Sequence, residues 1–190
     1  MKYTITQGIL HPARFVPSPH CDARPLDVPV DLIVVHGISL PPGQFETQYI
    51  EDFFVGKILD TTLDPYFASI AHLRVSAHLL IGRDGLVIQF VPFTKRAWHA
   101  GTSSFVDREK CNDFSIGIEL VGADDLPYTD PQYDTLSEII PVLSLVYPAI
   151  THDRIVGHSD IAPGRKTDPG PAFDWNRLHQ LVQLKQGIAT

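Results

Sequence analysis

His158, Lys166 and Asp168 lie in one turn-rich segment, Gly157-His158-Ser159-Asp160-Ile161-Ala162-Pro163-Gly164-Arg165-Lys166-Thr167-Asp168-Pro169-Gly170. Such a segment buries little apolar surface, so its ordering serves something other than a core. Imidazole and carboxylate groups bind Zn²⁺, and Lys166 places a cation beside them. His36, at the end of the apolar run Leu32-Ile33-Val34-Val35, is the best third ligand. Three protein ligands and an open fourth position characterise a catalytic zinc, which lowers the pKa of bound water to about 7. Glu119 is the group to take a proton from water and return it to a leaving amine. If residues 166–168 are locally extended, Lys166 and Asp168 project to one side. The lysine is then positioned to stabilise the oxyanion of an amide under attack. Asp168 precedes Pro169, which favours an extended backbone at the ligand. Spacing alone leaves these roles open. The pattern is not H-E-x-x-H, where two ligands declare themselves on one helix. The chain has nine histidines, and some will stand near an aspartate by chance. Glu119 also fits a salt-bridged carboxylate on a solvated sheet face.

Several elements must position these groups. Val30 to Val35 reads as a short, buried, β-branched strand delivering His36. Ser115 to Val121 reads as another, with Ile116, Ile118 and Leu120 on one face and Ser115, Gly117 and Glu119 on the other. Val75 to Ile81 and Leu86 to Val91 flank Asp84-Gly85, a strong hairpin signal. Residues 46–59 have weak helical character. Pro65 to Leu73 reads as a helix capped by Asp64, with Pro65 at its first position. Residues 131–147 repeat apolar groups at helical spacing, and Pro141 predicts a kink there. Asp174 caps a terminal helix carrying Trp175, Leu178 and Val182. The proline-broken residues 1–29 are expected to wrap the surface and 183–190 to form a tail. The expected fold is α/β: a single domain over 1–190 with a central mixed β-sheet flanked by helices.

Composition bounds the function. The chain of 190 residues suits one domain with a sizeable core. The net charge of −7 argues against non-specific nucleic-acid binding. No run approaches the ~18 apolar residues of a membrane span, and the N-terminus lacks an apolar signal-like core. Cys21 and Cys111 are too few for a disulfide framework and read as reduced thiols. A cytoplasmic enzyme is expected, with no nucleic-acid or membrane partner.

Five ordered runs carry a resemblance. They are Val34-Val35-His36-Gly37-Ile38-Ser39-Leu40-Pro41-Pro42-Gly43, His72-Leu73-Arg74-Val75-Ser76-Ala77-His78, Arg96-Ala97-Trp98-His99-Ala100-Gly101, Cys111-Asn112-Asp113-Phe114-Ser115-Ile116-Gly117-Ile118-Glu119-Leu120, and Gly157 to Pro163 continuing through Asp174-Trp175. Together they resemble the AmpD-type 1,6-anhydro-N-acetylmuramyl-L-alanine amidases. That group belongs to the zinc N-acetylmuramoyl-L-alanine amidases, which include peptidoglycan recognition proteins. The resemblance implies a zinc in a groove at one face of the sheet, held by His36, His158 and Asp168. It implies Glu119 and Lys166 as catalytic residues. The implied reaction is hydrolysis of the amide joining the lactyl group of N-acetylmuramic acid to the L-alanine of the stem peptide. The implied setting is cytosolic recycling of anhydromuropeptides, which restrains β-lactamase induction where that circuit exists.

Two positions depart from the family's pattern: Gly37 stands where Asn is usual, and Lys110 where Arg is usual. Neither is an expected ligand. Arg74 and Lys110 are candidate contacts for the carboxylates of the stem peptide. Trp98 and His99 are candidates for stacking on sugar or covering the groove, with core packing the other reading. His78 reads as structural. Asp160 either orients a ligating histidine or caps the loop backbone. Two other function classes remain: a muropeptide-binding module that does not cleave, and an amidase acting on polymeric peptidoglycan. The complete set of five site residues favours an enzyme over a binding module, and the expected lack of an export signal and of a separate wall-binding domain favours anhydromuropeptides over polymeric peptidoglycan. A monomer is expected.

Overall fold

The structure, a computed structural model, describes residues 2–57 and 59–187. A six-stranded mixed sheet forms its centre, in the order Ile155–Gly157, Leu32–Ile38, Ser115–Val121, Leu79–Ile81, Val87–Gln89, Arg14–Phe15. The Ser115–Val121 strand runs parallel to both of its neighbours, and Ile155–Gly157 runs parallel to Leu32–Ile38. Only the Asp84-Gly85 hairpin introduces an antiparallel pair in this sheet, with Leu80 opposite Ile88. The hairpin forms as expected, but its first strand starts at Leu79, not Val75.

Alternation along the central strands decides what each face meets. Ile33, Val35, Ile116, Ile118 and Leu120 pack against the helices Asp130–Val146 and Trp175–Lys185 through Leu136, Ile140, Leu178 and Val182. Leu32 and Val34 face the other way, onto Ala100, Cys111, Phe114 and Ile161. His36 and Glu119 continue that second face. Each buried aliphatic side chain contributes on the order of 1.5–3 kcal/mol, so a register slip by one residue would be strongly opposed.

The long helix continues through Pro141. Gln132 fastens it to the sheet: its Nε2 donates to Val121 O at 2.9 Å, and its Oε1 accepts from Thr129 N at 3.0 Å. The helices Thr47–Phe54 and Pro65–Ile70 bury Ile50, Phe53, Phe54 and Phe67 beside Leu80 and Phe90. Asp64 caps the second of them, accepting from Tyr66 N at 2.8 Å. Of the expected helical stretch 46–59, residue 58 lies outside the described residues.

The N-terminal segment is more ordered than a wrapping loop. It contributes four short strands, of which Arg14–Phe15 joins the central sheet. Buried Gln89 holds it from inside: Oε1 accepts from Leu10 N at 2.7 Å and Nε2 donates to Gly8 O at 2.9 Å. At the other end, residues 183–185 belong to the last helix and 188–190 lie outside the described residues. Both cysteines are free.

Candidate metal centre

The site stands where parallel strands end, the usual place for ligands in open α/β sheets. His36 and Glu119 are register partners on adjacent strands. Gly157 pairs with Val35, so the chain leaves its strand at the step before His158. His158 opens the short helix His158–Ile161. Ser159 N then donates to Asp168 O at 3.0 Å, folding the end of the loop back to its start. Asp160 Oδ2 accepts from Gly157 N at 2.7 Å, so Asp160 caps the loop backbone. Tyr128 Oη donates to Pro169 O at 3.0 Å and anchors the residue after Asp168. That tyrosine explains Gly37. A Cβ at position 37 would lie 2.3 Å from Tyr128 Oη, so no larger residue fits while Tyr128 holds the loop.

Three donor atoms converge. His36 Nδ1 lies 2.9 Å from His158 Nδ1 and 3.2 Å from Asp168 Oδ2, and His158 Nδ1 lies 3.1 Å from the same oxygen. Both rings are buried. His158 Nε2 reaches Ala100 O at 3.2 Å. A carbonyl only accepts, so that nitrogen carries the proton and Nδ1 is left as a bare lone pair. Burial pushes His36 down to about 4, so it is neutral near pH 7. Burial disfavours the Asp168 anion, and contact with His158 and His36 holds it below the usual carboxylate range only while those rings turn a proton towards it. Two imidazole lone pairs and a carboxylate at such separations repel one another unless a cation lies between them. A tetrahedral zinc with bonds of about 2.0–2.1 Å sets its ligand atoms roughly 3.3 Å apart. The observed triangle fits that ion, and His36, His158 and Asp168 can hold it.

Glu119 adjoins this triangle, with Oε1 3.9 Å from His36 Nδ1. Burial, and then the charge of Asp168, raises its carboxyl well above the usual range, while Lys166 pulls it down. Its Oε2 is buried and, among the described residues, has no hydrogen-bond partner. These groups form one end of a groove of about 600 Å³ whose lining includes His36, His99, Glu119, His158, Lys166 and Asp168. That volume lies within the ordinary range of small-molecule sites. Lys166 is also among the residues lining the groove.

Of the candidate substrate contacts, His99 is among the residues lining this groove, and Arg74, Trp98 and Lys110 are not. Arg74 is exposed; its Nη1 donates to Ala71 O and Leu73 O, and its neighbours Leu73 and Val75 line the groove instead. Lys110 lines an adjoining pocket with Thr102 and Pro163, separated from the triangle. Trp98 stacks on His20 at 6.1 Å, outside the groove lining. His99 does line the groove, but its ring edge meets the His36 ring at 5.0 Å instead of presenting a free face. Burial, then the proximity of His36, holds His99 well below the usual imidazole range. His78 is structural as expected, its Nδ1 accepting from Gly117 N at 3.0 Å. Sequence reasoning missed Tyr128 and Arg165. Arg165 Nη2 donates to Ala100 O at 2.6 Å, beside His158. No spacing signal links either to the loop it holds.

Comparison with known proteins points to one family. The model of the N-acetylmuramoyl-L-alanine amidase family matches residues 26–171. The chain is 59% identical over 178 residues to the 1,6-anhydro-N-acetylmuramyl-L-alanine amidase AmpD of Salmonella typhimurium, covering 94% of each. It is similar to the crystal structure of a Se-Met AmpD derivative, with a TM-score of 0.90 and 58% identity over 94% of this chain and 98% of that one. It is also similar to Escherichia coli AmiD, solved in complex with the substrate anhydro-N-acetylmuramic acid-L-Ala-D-gamma-Glu-L-Lys. There the TM-score is 0.58 and the identity 25%, covering 100% of this chain and 67% of that one.

Proposed function

This chain belongs to the N-acetylmuramoyl-L-alanine amidase family, and we propose that it is a zinc enzyme for anhydromuropeptides. His36, His158 and Asp168 hold the ion, and the bond cleaved joins the lactyl group of 1,6-anhydro-N-acetylmuramic acid to L-alanine. The observation that carries the metal is the convergence of three lone-pair donors within 3.2 Å of one another. The substrate class rests on the AmpD relatives and on the AmiD complex. Zinc in a three-ligand site supplies a Lewis acid and lowers the pKa of bound water to about 7. The chain's own residues do the rest. Glu119, kept from other hydrogen bonds, takes the proton of the attacking water and returns it to the alanine nitrogen as the amide breaks. Lys166 donates to the carbonyl oxygen as negative charge grows there. We assign the reaction to cytoplasmic recycling of wall fragments, with the link to β-lactamase induction that AmpD-type enzymes carry. No helix among the described residues is long and apolar enough to cross a membrane.

Protein purified without chelator should contain one zinc per chain and cleave anhydromuropeptide, with the released peptide identified by mass spectrometry. Absence of zinc, with no response to added zinc, would remove the metal from the reading. Faster release from intact sacculi than from anhydromuropeptide would make polymeric peptidoglycan the substrate. Turnover of neither would leave a binding module.

Lys166→Met tests the oxyanion role. An interaction made only in the transition state lowers kcat and kcat/KM by similar factors and leaves KM nearly unchanged. The expected loss is ~10²–10³-fold. A raised KM with kcat intact would instead mean that Lys166 grips a substrate carboxylate. Parallel loss of zinc would mean that it orients the ligand loop.

A further inference from the structure

The hydrogen bonds behind His36 form a directed chain. Ser115 Oγ lies 2.6 Å from Cys111 O, and a carbonyl only accepts, so the hydroxyl proton points there. The contact from His99 Nε2 to Ser115 Oγ, at 3.1 Å, must then be donated by the imidazole. A neutral imidazole has one N–H, so His99 Nδ1 is an acceptor. It lies 2.9 Å from His36 Nε2, which therefore holds the His36 proton. His36 Nδ1 is left bare and aimed at the triangle.

From this chain we propose that His99 is a positioning residue. It fixes the tautomer and ring orientation of His36 so that Nδ1 is presented to the metal. The proposal rests on the metal site set out above and adds a residue that touches neither metal nor reacting atoms.

The surroundings are shaped to keep His99 in place. Its ring lies against Gly117, where a Cβ would come within 2.4 Å of His99 Cγ. The small residue on the Glu119 strand is thus the space that the imidazole occupies. Asn112 Oδ1 accepts from His99 N at 3.1 Å and from Ala100 N at 2.8 Å. One side chain therefore sets both the His99 backbone and the Ala100 carbonyl that orients His158. Half-buried Arg24 fixes this frame in turn, donating to Asn112 O at 3.2 Å and Ser115 O at 2.9 Å. The two imidazoles of the triangle thus take their orientation from consecutive residues, 99 and 100. Partners of this kind behind metal ligands typically change metal affinity by 10–100-fold when removed.

The test uses three variants and the wild type. His99→Phe keeps a ring but removes the acceptor, and zinc affinity measured by chelator competition should fall ~10–100-fold. His99→Asn places Oδ1 near the former Nδ1 and should stay within a few-fold of wild type. In the metal-free wild type, long-range ¹H–¹⁵N correlations should show His36 protonated at Nε2 and bare at Nδ1. Wild-type affinity in a folded His99→Phe, or a His36 proton on Nδ1, would overturn the proposal. Should His99→Phe not fold, the tautomer measurement decides alone. His36→Ala separates the two layers of the argument. If it binds zinc like wild type, the metal site itself is wrong. If it loses zinc while His99→Phe does not, only the role of His99 is wrong.

Discussion

His158→Ala should lose bound zinc and hydrolytic activity together. Two donors would remain, His36 Nδ1 and Asp168 Oδ2, 3.2 Å apart, and two donors do not make a closed or a catalytic zinc site. The fold should survive, because the partner of the lost imidazole stays satisfied: Ala100 O keeps Arg165 Nη2 at 2.6 Å. The clearest readout is thermal. A ligand that binds only the folded state stabilises it by about 4 kcal/mol when free ligand is a thousand times Kd. Metal-free wild type should therefore rise in Tm by several degrees on titration with zinc, and His158→Ala should not respond. Asp168→Ala should behave in the same way. A zinc-dependent rise in both variants would mean that the ion binds elsewhere.

Much of this site is legible in the sequence. His36, Glu119, His158, Lys166 and Asp168 all line one groove, and the face alternation along Ser115–Val121 was readable from its pattern of small and apolar residues. Those features are local: a strand's period, a turn-rich segment and a proline after an aspartate are written in consecutive residues. What escaped depends on approach between distant segments. Nothing near Gly37 says that Tyr128 will fill the space above it. Nothing near Gln89 says that it will bind Gly8 and Leu10 and turn an expected surface wrap into sheet. The same limit explains His99. Its type and its Gly-bounded turn suggested a substrate contact. Its position over Gly117 comes from packing between the 98–101 turn and a strand that follows it in sequence. The side-chain positions of Arg74 and Lys110 are not legible in the sequence for a related reason. A long exposed side chain is placed by its neighbours' backbone carbonyls and by solvent, which spacing does not encode.

Glu119→Gln separates proton transfer from metal binding. The substitution keeps the shape of the side chain and removes its basicity. Zinc content should match wild type, because Glu119 stands beside the triangle and not in it. Turnover should fall ~10²–10⁴-fold, the range typical of general acid–base groups. A variant with normal zinc and turnover within a few-fold of wild type would mean that another group moves the proton. The same variant carries a second expectation, in the metal-free protein. Glu119 is raised in the folded state above its ordinary value near 4.5, chiefly by burial. The folded state therefore holds this proton more tightly than the unfolded chain does. Over the interval between the unfolded and folded values, each unit of rising pH costs about 1.4 kcal/mol of stability. Below the unfolded value both states are protonated, and the cost vanishes. Glutamine never ionises, so metal-free Glu119→Gln should melt above wild type at pH 7, and the gap should close as pH falls towards 4.5. His36, whose shift is in the opposite direction, is present in both proteins and cancels in that difference. A gap that does not change with pH would mean that the carboxylate is solvated. An orphaned, buried Oε2 beside a metal site destabilises the fold at the pH where a base is needed, and that is the condition under which a carboxylate is poised to take a proton.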